Sequence, residues 1–289
     1  MRYESPDSVE AAVALIAAEP DARVFAGATD LIPQLRAGRP EPSVLVDLKA
    51  IPELVAIERD NGTWRVGAAT PAARIVEEAG FGRDFPGLTE ASGLIGSDQI
   101  QSRASLGGNL CNASPAADTV PALVVNEARA VIAGAGSTRT VPVAEVVTGP
   151  GSTSLEPGEI VVGFEIDAPA AGAADAYLRF IPRTEMDIAV VGAAARLTID
   201  GNGSCTDALV ALGAVAPTVV RVAEAEAALV GSDIDDDVLD AVAAAAREAC
   251  DPIDDKRGTI EYRRHVSGVL ARRAVTRAAE RARERGGQS

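Results

Sequence analysis

The spacing of hydrophobic and polar residues predicts a small α/β unit at the start of the chain. Apolar positions recur at helical spacing over residues 8–18 and 30–37, whereas short apolar runs over 23–25 and 43–47 are typical of strands. Asp30 stands where the second helix begins and is a candidate for its N-terminal cap. We therefore expect the first 55 residues or so to fold together.

The pattern divides the remaining chain near residue 175. Predicted strands cover 64–67, 131–133 and 140–142, and predicted helices cover 72–78, 86–95 and 119–126. The alanine-rich stretch 168–174 has low complexity, which predicts an exposed loop or a domain boundary. Beyond it, the pattern predicts strands over 177–181, 188–199 and 206–213, followed by helices over 220–229, 236–250 and 260–283.

Two turns rich in small residues interrupt this pattern. The first turn is FAGATD at residues 25–30, and the second turn is ASLGGN at residues 104–109, within a longer small-residue run over 99–121. Small residues let backbone amides point into one concavity, and the Ser105 and Asn109 side chains add neutral donors. An anion is the natural ligand of such a turn, so two of them predict a diphosphate.

The overall charge disfavours several classes of partner. The chain of 289 residues carries 42 Asp and Glu against 27 Lys and Arg, which gives a formal net charge of −15. Nucleic acid and anionic membranes are unlikely partners, so local backbone amides must hold any phosphate. There is no run of about 18 apolar residues that would predict a membrane span, and the acidic N-terminal segment is unlike a signal peptide. We expect a cytoplasmic protein.

Histidine and cysteine are too sparse for several catalytic mechanisms. The single histidine, His265, stands on a long basic helix, where we expect a structural role. The three cysteines are far apart and lack C-x-x-C spacing, so neither a zinc site nor an iron–sulfur cluster is predicted in this chain. For Cys111, beside the second turn, we expect a small packed thiol. The sequence thus predicts no catalytic side chain and no metal site.

A further pair of glycines, Gly134 and Gly136, imitates part of a dinucleotide-binding fingerprint. Such a fingerprint opens a helix, whereas residues 137–142 have the pattern of a turn that leads into another strand. We therefore do not expect a dinucleotide to bind at this position.

Four segments follow one another in an order typical of one family. They are VFAGATDL at 24–31, ASLGGNL at 104–110 with Ser114, Pro115 and Asp118 after it, EIV at 159–161, and YLRF at 177–180 with Arg183 and Asp187 after it. In this order they resemble the FAD-binding medium subunits of molybdenum hydroxylases, which include xanthine dehydrogenase, aldehyde oxidoreductases and carbon monoxide dehydrogenase. The resemblance covers nearly the whole chain.

The resemblance implies an α+β fold and a non-covalently bound FAD. The expected fold is a vanillyl-alcohol-oxidase-type FAD-binding domain over 1–175, in two α/β subdomains of about 1–55 and 56–175, followed by a C-terminal domain of antiparallel strands and helices over 176–289. The residues expected to bind the cofactor are Val24, Phe25, Ala26, Gly27, Ala28, Thr29, Asp30, Leu31, Ala104, Ser105, Gly107, Gly108, Asn109, Asp118, Ile160, Val161 and Arg179.

The resemblance also implies a role for each group of these residues. Amides of the two turns would hold the FAD pyrophosphate, Asp118 would face the ribityl chain, and Ile160 and Val161 would lie beside the isoalloxazine. Arg179 occupies a position where relatives often carry lysine. Structural alternatives stay open: Asp118 as a helix cap, Arg179 as a solvated strand residue, and Arg183 paired with Asp187.

The function implied is electron transfer inside a multi-subunit oxidoreductase. Electrons from a molybdenum centre on a large molybdopterin subunit would pass through [2Fe–2S] clusters on a small subunit to this FAD. They would then leave to NAD⁺, a quinone, oxygen or another acceptor, and the heterotrimer could pair into a dimer of heterotrimers. Two alternatives remain open: a stand-alone FAD oxidoreductase, and a flavin-free assembly scaffold, for which Ala28 in place of a common glycine is the only hint.

Overall fold

Helices and strands account for most of the chain and form three main sheets. The computed structural model describes residues 1–286. Its helices are α1 (Val9–Ala18), α2 (Leu31–Arg36), α3 (Ala72–Glu77), α4 (Ala79–Asp84), α5 (Pro86–Gly93), α6 (Asp98–Gln101), α7 (Leu106–Cys111), α8 (Thr119–Val125), α9 (Ala223–Leu229), α10 (Asp236–Glu248) and α11 (Ile260–Gly286). Its strands are β1 (Arg2–Glu4), β2 (Arg23–Phe25), β3 (Val44–Asp47), β4 (Ile57–Asp60), β5 (Thr63–Gly67), β6 (Arg129–Gly134), β7 (Ser137–Pro142), β8 (Val147–Gly149), β9 (Ser152–Thr153), β10 (Ile160–Asp167), β11 (Ala173–Phe180), β12 (Val191–Ile199), β13 (Cys205–Gly213) and β14 (Val220–Arg221).

The N-terminal sheet is parallel, with the strand order β1-β3-β2. Helix α1 begins after Ser8, whose side chain accepts a hydrogen bond from the Ala11 amide at 3.3 Å. Buried Val13 of α1 packs in one core with Val44 and Val46 of β3. The parallel pairing places the ends of β2 and β3 side by side, and the first turn leaves directly from β2.

The second sheet is antiparallel, with the strand order β4-β5-β10-β6-β7. Its core contains several of the large aromatic side chains: the Trp64 and Phe81 rings meet edge to face at 5.4 Å, and the Phe81 and Phe85 ring centres lie 5.1 Å apart. The hairpin expected over 131–142 is present as β6 and β7. Because residues 137–142 form a strand and not a helix, the exclusion of a dinucleotide fingerprint here is confirmed.

The third sheet is antiparallel, with the strand order β11-β12-β13-β14, and the long helix α11 packs with it in one core. Small side chains dominate this contact, as in Ala193 and Ala195 of β12 and Ala271 of α11, all of them buried. Alanine allows helix and sheet to approach closely, which gains dispersion contacts without large aromatic residues.

The alanine-rich stretch is only partly the exposed loop that the sequence predicts. Ala173 and Ala174 begin β11, where they pair with Thr198 and Leu197 and are 3% and 1% exposed. Pairing with β12 places these small residues inside the sheet, a long-range contact that low complexity does not reveal. The connecting loop is therefore confined to residues 168–172.

The helix predicted over 220–229 is also wrong at its start. Val220 and Arg221 pair with β13 as the short edge strand β14, and the helix begins only at Ala223. Pairing with the strand just before it in sequence thus overrides the local helical spacing.

A buried carboxylate joins the third sheet to helix α5 and to the end of helix α8. Asp175 on β11 accepts hydrogen bonds from the Gly87 and Leu88 amides at 2.8 and 3.1 Å, and from the Asn126 amide group at 2.7 Å. It satisfies amide donors at the start of α5 that the helix itself cannot pair. This contact fixes β11, the strand that carries Arg179.

Candidate functional site

A cleft of about 700 Å³ lies where the first turn faces the second turn and the loop 155–159. It brings together most of the residues predicted to bind the cofactor: Val24, Phe25, Ala26, Gly27, Ala28, Thr29, Asp30, Leu31, Ala104, Ser105, Gly108 and Asn109. Five predicted residues do not line it, namely Gly107, Asp118, Ile160, Val161 and Arg179. The two turns, almost 80 residues apart in sequence, therefore form one site.

The first turn exposes a run of backbone donors. Within residues 1–286, the amides of Gly27 through Leu31 donate no hydrogen bond to the protein. Helical pairing starts only with the Ile32 amide, which donates to the Ala28 carbonyl at 3.1 Å. Consecutive amides of this kind form a nest that suits an anion.

The Asp30 side chain does not cap helix α2, as the sequence predicts it would. It occupies the capping position of α2, but its side chain accepts no capping hydrogen bond, so that prediction is wrong. The backbone of Asp30 is already helical, which turns the carboxylate away from the amides that a cap must reach. Partial burial at the cleft wall desolvates this carboxyl and raises its pKa.

Two small residues set the shape of the first turn. Ala28 has φ of 58°, the left-handed conformation that glycine adopts freely and that costs other residues about 1–2 kcal/mol. Alanine therefore keeps the geometry of the turn at an energetic cost. A side chain on Gly27 would place its Cβ 1.9 Å from the Arg103 carbonyl oxygen, so the close approach of the two turns requires glycine.

The amides at the centre of the second turn already donate to acceptors of the protein. The amide of Gly107 donates to the Ala68 carbonyl at 3.0 Å, that of Gly108 to the Ser105 hydroxyl at 3.1 Å, and that of Asn109 to the Ser105 carbonyl at 2.9 Å. A Cβ on Gly107 would lie 2.5 Å from the Ala68 oxygen. This turn therefore contributes shape and packing more than free amides, in contrast to the nest expected from the sequence.

Charged residues and one cysteine complete the cleft wall. Carboxylates of Glu19, Glu156 and Glu159 and the guanidinium of Arg39 line it, and Glu159 is bound by Arg139 outside the wall at 2.8 Å. Cys111 borders the cleft with part of the residue exposed, while burial raises the pKa of its thiol to about 12, so the packed thiol expected from the sequence stays a prediction. Helix α7 ends at this residue; its Leu106 and Leu110 are buried in the core, whereas Gly108, Asn109 and Cys111 border the cleft.

Asp118 and Arg179 form a separate buried pair. The Arg179 side chain, 5% exposed, donates to Asp118 Oδ2 at 2.8 Å, and the Tyr177 hydroxyl donates to Oδ1 at 2.9 Å. Desolvation raises the pKa of Asp118, while the charge of Arg179 and the hydrogen bonds from both neighbours oppose that rise. The solvated alternative for Arg179 is therefore wrong.

The capping alternative for Asp118 is wrong as well. Its side chain makes no capping bond to α8, and Asn109 Oδ1 instead accepts from the Thr119 amide at 3.3 Å and hydroxyl at 2.7 Å. Arg183 and Asp187 do pair, at 3.5 Å. Ile160 and Val161 are buried on β10, at 1% and 4% exposure.

The structure adds two contacts that the sequence did not predict. Gln34 Nε2 donates to Asn112 Oδ1 at 3.0 Å and so links α2 to the chain after the second turn. Lys49 Nζ donates to the Ala26 carbonyl at 2.6 Å, behind the first turn. Neither contact has a local signal, because each depends on segments brought together by the fold.

Comparisons with known proteins show the family to which the chain belongs. The family described as the FAD binding domain in molybdopterin dehydrogenase matches residues 1–169, and the CO dehydrogenase flavoprotein C-terminal domain matches residues 176–278. The carbon monoxide dehydrogenase medium chain of Afipia carboxidovorans is 34% identical, covering 97% of each chain. The alpha subunit of the 6-hydroxypseudooxynicotine dehydrogenase complex of Paenarthrobacter nicotinovorans is 31% identical, over 97% of this chain and 95% of that one.

A solved structure shares the whole architecture. The carbon monoxide dehydrogenase from Hydrogenophaga pseudoflava superposes with a TM-score of 0.93 at 33% identity, covering 97% of this chain and 98% of that one. The fold and the site thus define an FAD-binding flavoprotein. The chain belongs to the family of FAD-binding subunits of molybdopterin dehydrogenases, which confirms the predicted resemblance, the α+β fold class, the FAD cofactor and the electron-transfer class of function.

Two further features of the described residues bear on other classes of site. Among residues 1–286, no helix combines the length and apolar character needed to cross a membrane. The same residues contain no group of three or more His, Cys, Asp or Glu side chains arranged to hold a metal ion.

Proposed function

We propose that this chain binds FAD non-covalently across the cleft and transfers electrons within a molybdenum hydroxylase complex. The observation that carries the site assignment is the run of amides from Gly27 to Leu31, which have no acceptor among the described residues and border the cleft. A diphosphate supplies oxygen acceptors for such donors without requiring a positively charged protein.

The residues divide into three roles in this proposal. Amides of the first turn hold the diphosphate, with the Ser105 and Gly108 backbone forming the facing wall. Asp118 and Arg179 lie toward the polar part of the flavin and its ribityl chain. Ile160 and Val161 support the isoalloxazine through main-chain contacts. The last two assignments rest on the family resemblance, because these residues lie outside the cleft.

No acid, base or nucleophile of this chain is needed for the reaction. FAD, when bound, supplies the capacity to take up and release electrons singly or in pairs, and the protein supplies position and electrostatics. The first turn binds and orients the diphosphate end, while the buried Asp118–Arg179 pair presents a fixed arrangement of charge.

Partner subunits supply the remaining chemistry in this proposal. We expect a large molybdopterin subunit and a small [2Fe–2S] subunit, assembled with this chain into a heterotrimer that can pair as a dimer of heterotrimers. The large subunit selects the substrate, and the acceptor is NAD⁺, a quinone, oxygen or another oxidant. We also place the complex in the cytoplasm, where its free thiols Cys111, Cys205 and Cys250 would stay reduced.

We further propose the domain limits 1–175 and 176–289, with a division near residue 55 inside the first domain. Support comes from the three sheets, which share no strand, and from the family matches, which meet between residues 169 and 176.

The test is anaerobic flavin reduction in the complex purified from its native host. Substrate should bleach the flavin absorbance of the intact complex and leave the isolated, FAD-loaded chain unchanged. Substrate oxidation by the isolated chain would instead establish a stand-alone oxidoreductase. A fully assembled, active complex whose copy of this chain lacks FAD would establish the scaffold alternative.

A further inference from the structure

The carbonyl of Ala26, at the start of the first turn, is held from behind by a lysine. Lys49 Nζ lies 2.6 Å from the Ala26 oxygen and 2.6 Å from Asp47 Oδ1, and the ammonium sits 4.5 Å from the centre of the Phe25 ring. The two hydrogen bonds and the cation–π contact leave this side chain little freedom.

Asp47, the partner of Lys49, is itself fixed at the end of β3. The Tyr3 hydroxyl donates to Oδ2 at 2.6 Å, and the Lys49 amide donates to Oδ1 at 3.0 Å. Desolvation raises the pKa of Asp47, but the hydrogen bonds from Lys49 and Tyr3 outweigh it and hold this pKa below its usual value. The carboxylate therefore stays charged at neutral pH and keeps the ammonium in place.

Because Lys49 fixes the Ala26 carbonyl, it also fixes the direction of the Gly27 N–H in the same peptide group. A trans peptide is planar, so the N–H of Gly27 points to the side opposite the C=O of Ala26. Ala26 and Gly27 line the cleft, whereas Lys49 does not. A carbonyl pulled toward Lys49 thus turns the Gly27 N–H away from Lys49 and toward the cleft, where it has no acceptor among residues 1–286.

We propose that Lys49 is a positioning residue of the diphosphate site. By fixing the Ala26–Gly27 peptide, it presents the first amide of the nest to the ligand, and its charge on the carbonyl strengthens that amide as a donor. This inference rests on the proposed FAD function of the cleft. Lys49 acts through the peptide and does not touch the phosphate, because its ammonium is already engaged by Ala26 and Asp47.

The experiment uses the full chain freed of flavin and titrated separately with FAD, ADP and riboflavin. ADP contains the diphosphate without the flavin, and riboflavin contains the flavin without the diphosphate. The variants are Lys49→Met, which removes the charge, and Lys49→Arg, which can still donate to Ala26. Lys256→Met is the matched control, since this other lysine is exposed and remote from the cleft.

Lys49→Met should weaken the binding of FAD and of ADP by the same factor. We expect about tenfold, the size of the effect of one charge-assisted hydrogen bond. Riboflavin affinity should stay unchanged, Lys49→Arg should recover most of the loss, and Lys256→Met should match the wild type. If Lys49→Met does not fold, Tyr3→Phe removes one anchor of Asp47 and should give a smaller loss confined to FAD and ADP.

Several results would overturn the proposal. One is unchanged affinity for ADP and FAD in Lys49→Met or, where that variant does not fold, in Tyr3→Phe. Another is an equal loss of riboflavin affinity, which would indicate a general loosening of the structure. If a high salt concentration abolishes the affinity difference between the wild type and Lys49→Met, Lys49 instead attracts the phosphate directly through its charge. If the wild type binds ADP but not FAD, and Lys49→Met weakens that ADP binding, the proposed cofactor is overturned and the role of Lys49 stands. If the wild type binds neither ligand, both proposals are overturned.

Discussion

The two small-residue turns look alike in sequence but differ in the structure. The amides from Gly27 to Leu31 in the first turn have no acceptor among residues 1–286. In the second turn, the amides of Gly107, Gly108 and Asn109 all donate to acceptors of the protein. The first is held from behind by a lysine, and the second by packing against Ala68. Small residues thus permit close approach in both turns, but only in the first does the approach present donors to a ligand.

The largest expected effect comes from breaking the contact between the turns. Gly27→Ala would force a Cβ to within 1.9 Å of a backbone oxygen that cannot move aside alone. We expect a loss of about 1–3 kcal/mol in the free energy of unfolding, typical of overpacking, and at least about tenfold weaker FAD binding. Denaturant unfolding and FAD titration measure both.

Gly201→Ala is the matched control for this change. Gly201 has no atom within 4 Å of an added Cβ, so its substitution should change neither quantity. Wild-type FAD affinity in Gly27→Ala would show that the turns can separate without consequence and would break the comparison.

Neighbouring glycines of the second turn should separate packing from ligand contact. Gly107→Ala should destabilise the fold by about 1–3 kcal/mol, because its Cβ meets the Ala68 backbone. Gly108→Val should instead lower FAD affinity while leaving most of the stability, since Gly108 is exposed on the cleft wall. Thermal unfolding of both variants, with flavin content measured on the same samples, checks this contrast. The account fails if the two glycines respond in the same way.

The charge of the first turn gives a pH-dependent prediction. Desolvation raises the pKa of Asp30 above its unfolded value. The folded state therefore carries no penalty from this carboxyl below the unfolded pKa, and it loses stability as pH rises through the folded pKa, because the charged form is the one that desolvation disfavours. Asp30→Asn should remove this dependence. It should also tighten FAD binding at neutral pH up to about fivefold, since unit charges about 4 Å apart in water interact by about 1 kcal/mol.

Titration of FAD between pH 4 and pH 8 tests the effect of Asp30. Affinity of the wild type should rise toward low pH, and the two proteins should converge there. Equal pH profiles for wild type and Asp30→Asn would remove Asp30 from the electrostatics of the cleft.

The smallest expected effect concerns the backbone of Ala28. Ala28→Gly should raise the free energy of unfolding by about 0.5–1 kcal/mol, since relief of the left-handed strain exceeds the added chain entropy of glycine. FAD affinity should stay within about twofold, because the turn already has the required geometry. A large gain in FAD affinity would mean that alanine distorts the nest.

Local patterns predicted most elements of the fold, but not the contacts between them. The helices that begin at Val9 and Asp236 have capping residues and helical spacing that act within a few residues. The burial of Ala173 depends on pairing with Thr198, which is distant in sequence. The pairing of Val220 and Arg221 with β13 is a contact between two elements that the helical spacing alone does not reveal. Alanine in particular gives a weak local signal, because it fits a loop, a helix or a close sheet contact equally well.

The same distinction applies to the site. Glycine-rich sequences located both turns, because small residues are needed wherever a backbone approaches another backbone or a ligand. Sequence did not reveal which amides were already used, since the partner of Gly107 is Ala68, a residue on another segment. It also missed the clamp of Lys49 on Ala26, which requires the parallel pairing of β2 with β3.

The central claim is that the cleft of this chain holds FAD, and the flavin released from the purified chain tests it most directly. Chromatography of the denatured protein separates FAD from FMN and riboflavin and gives its molar ratio to protein. The account predicts close to one non-covalent FAD per chain, either as purified or after titration with FAD. A folded chain that binds no FAD at saturating concentration would contradict it.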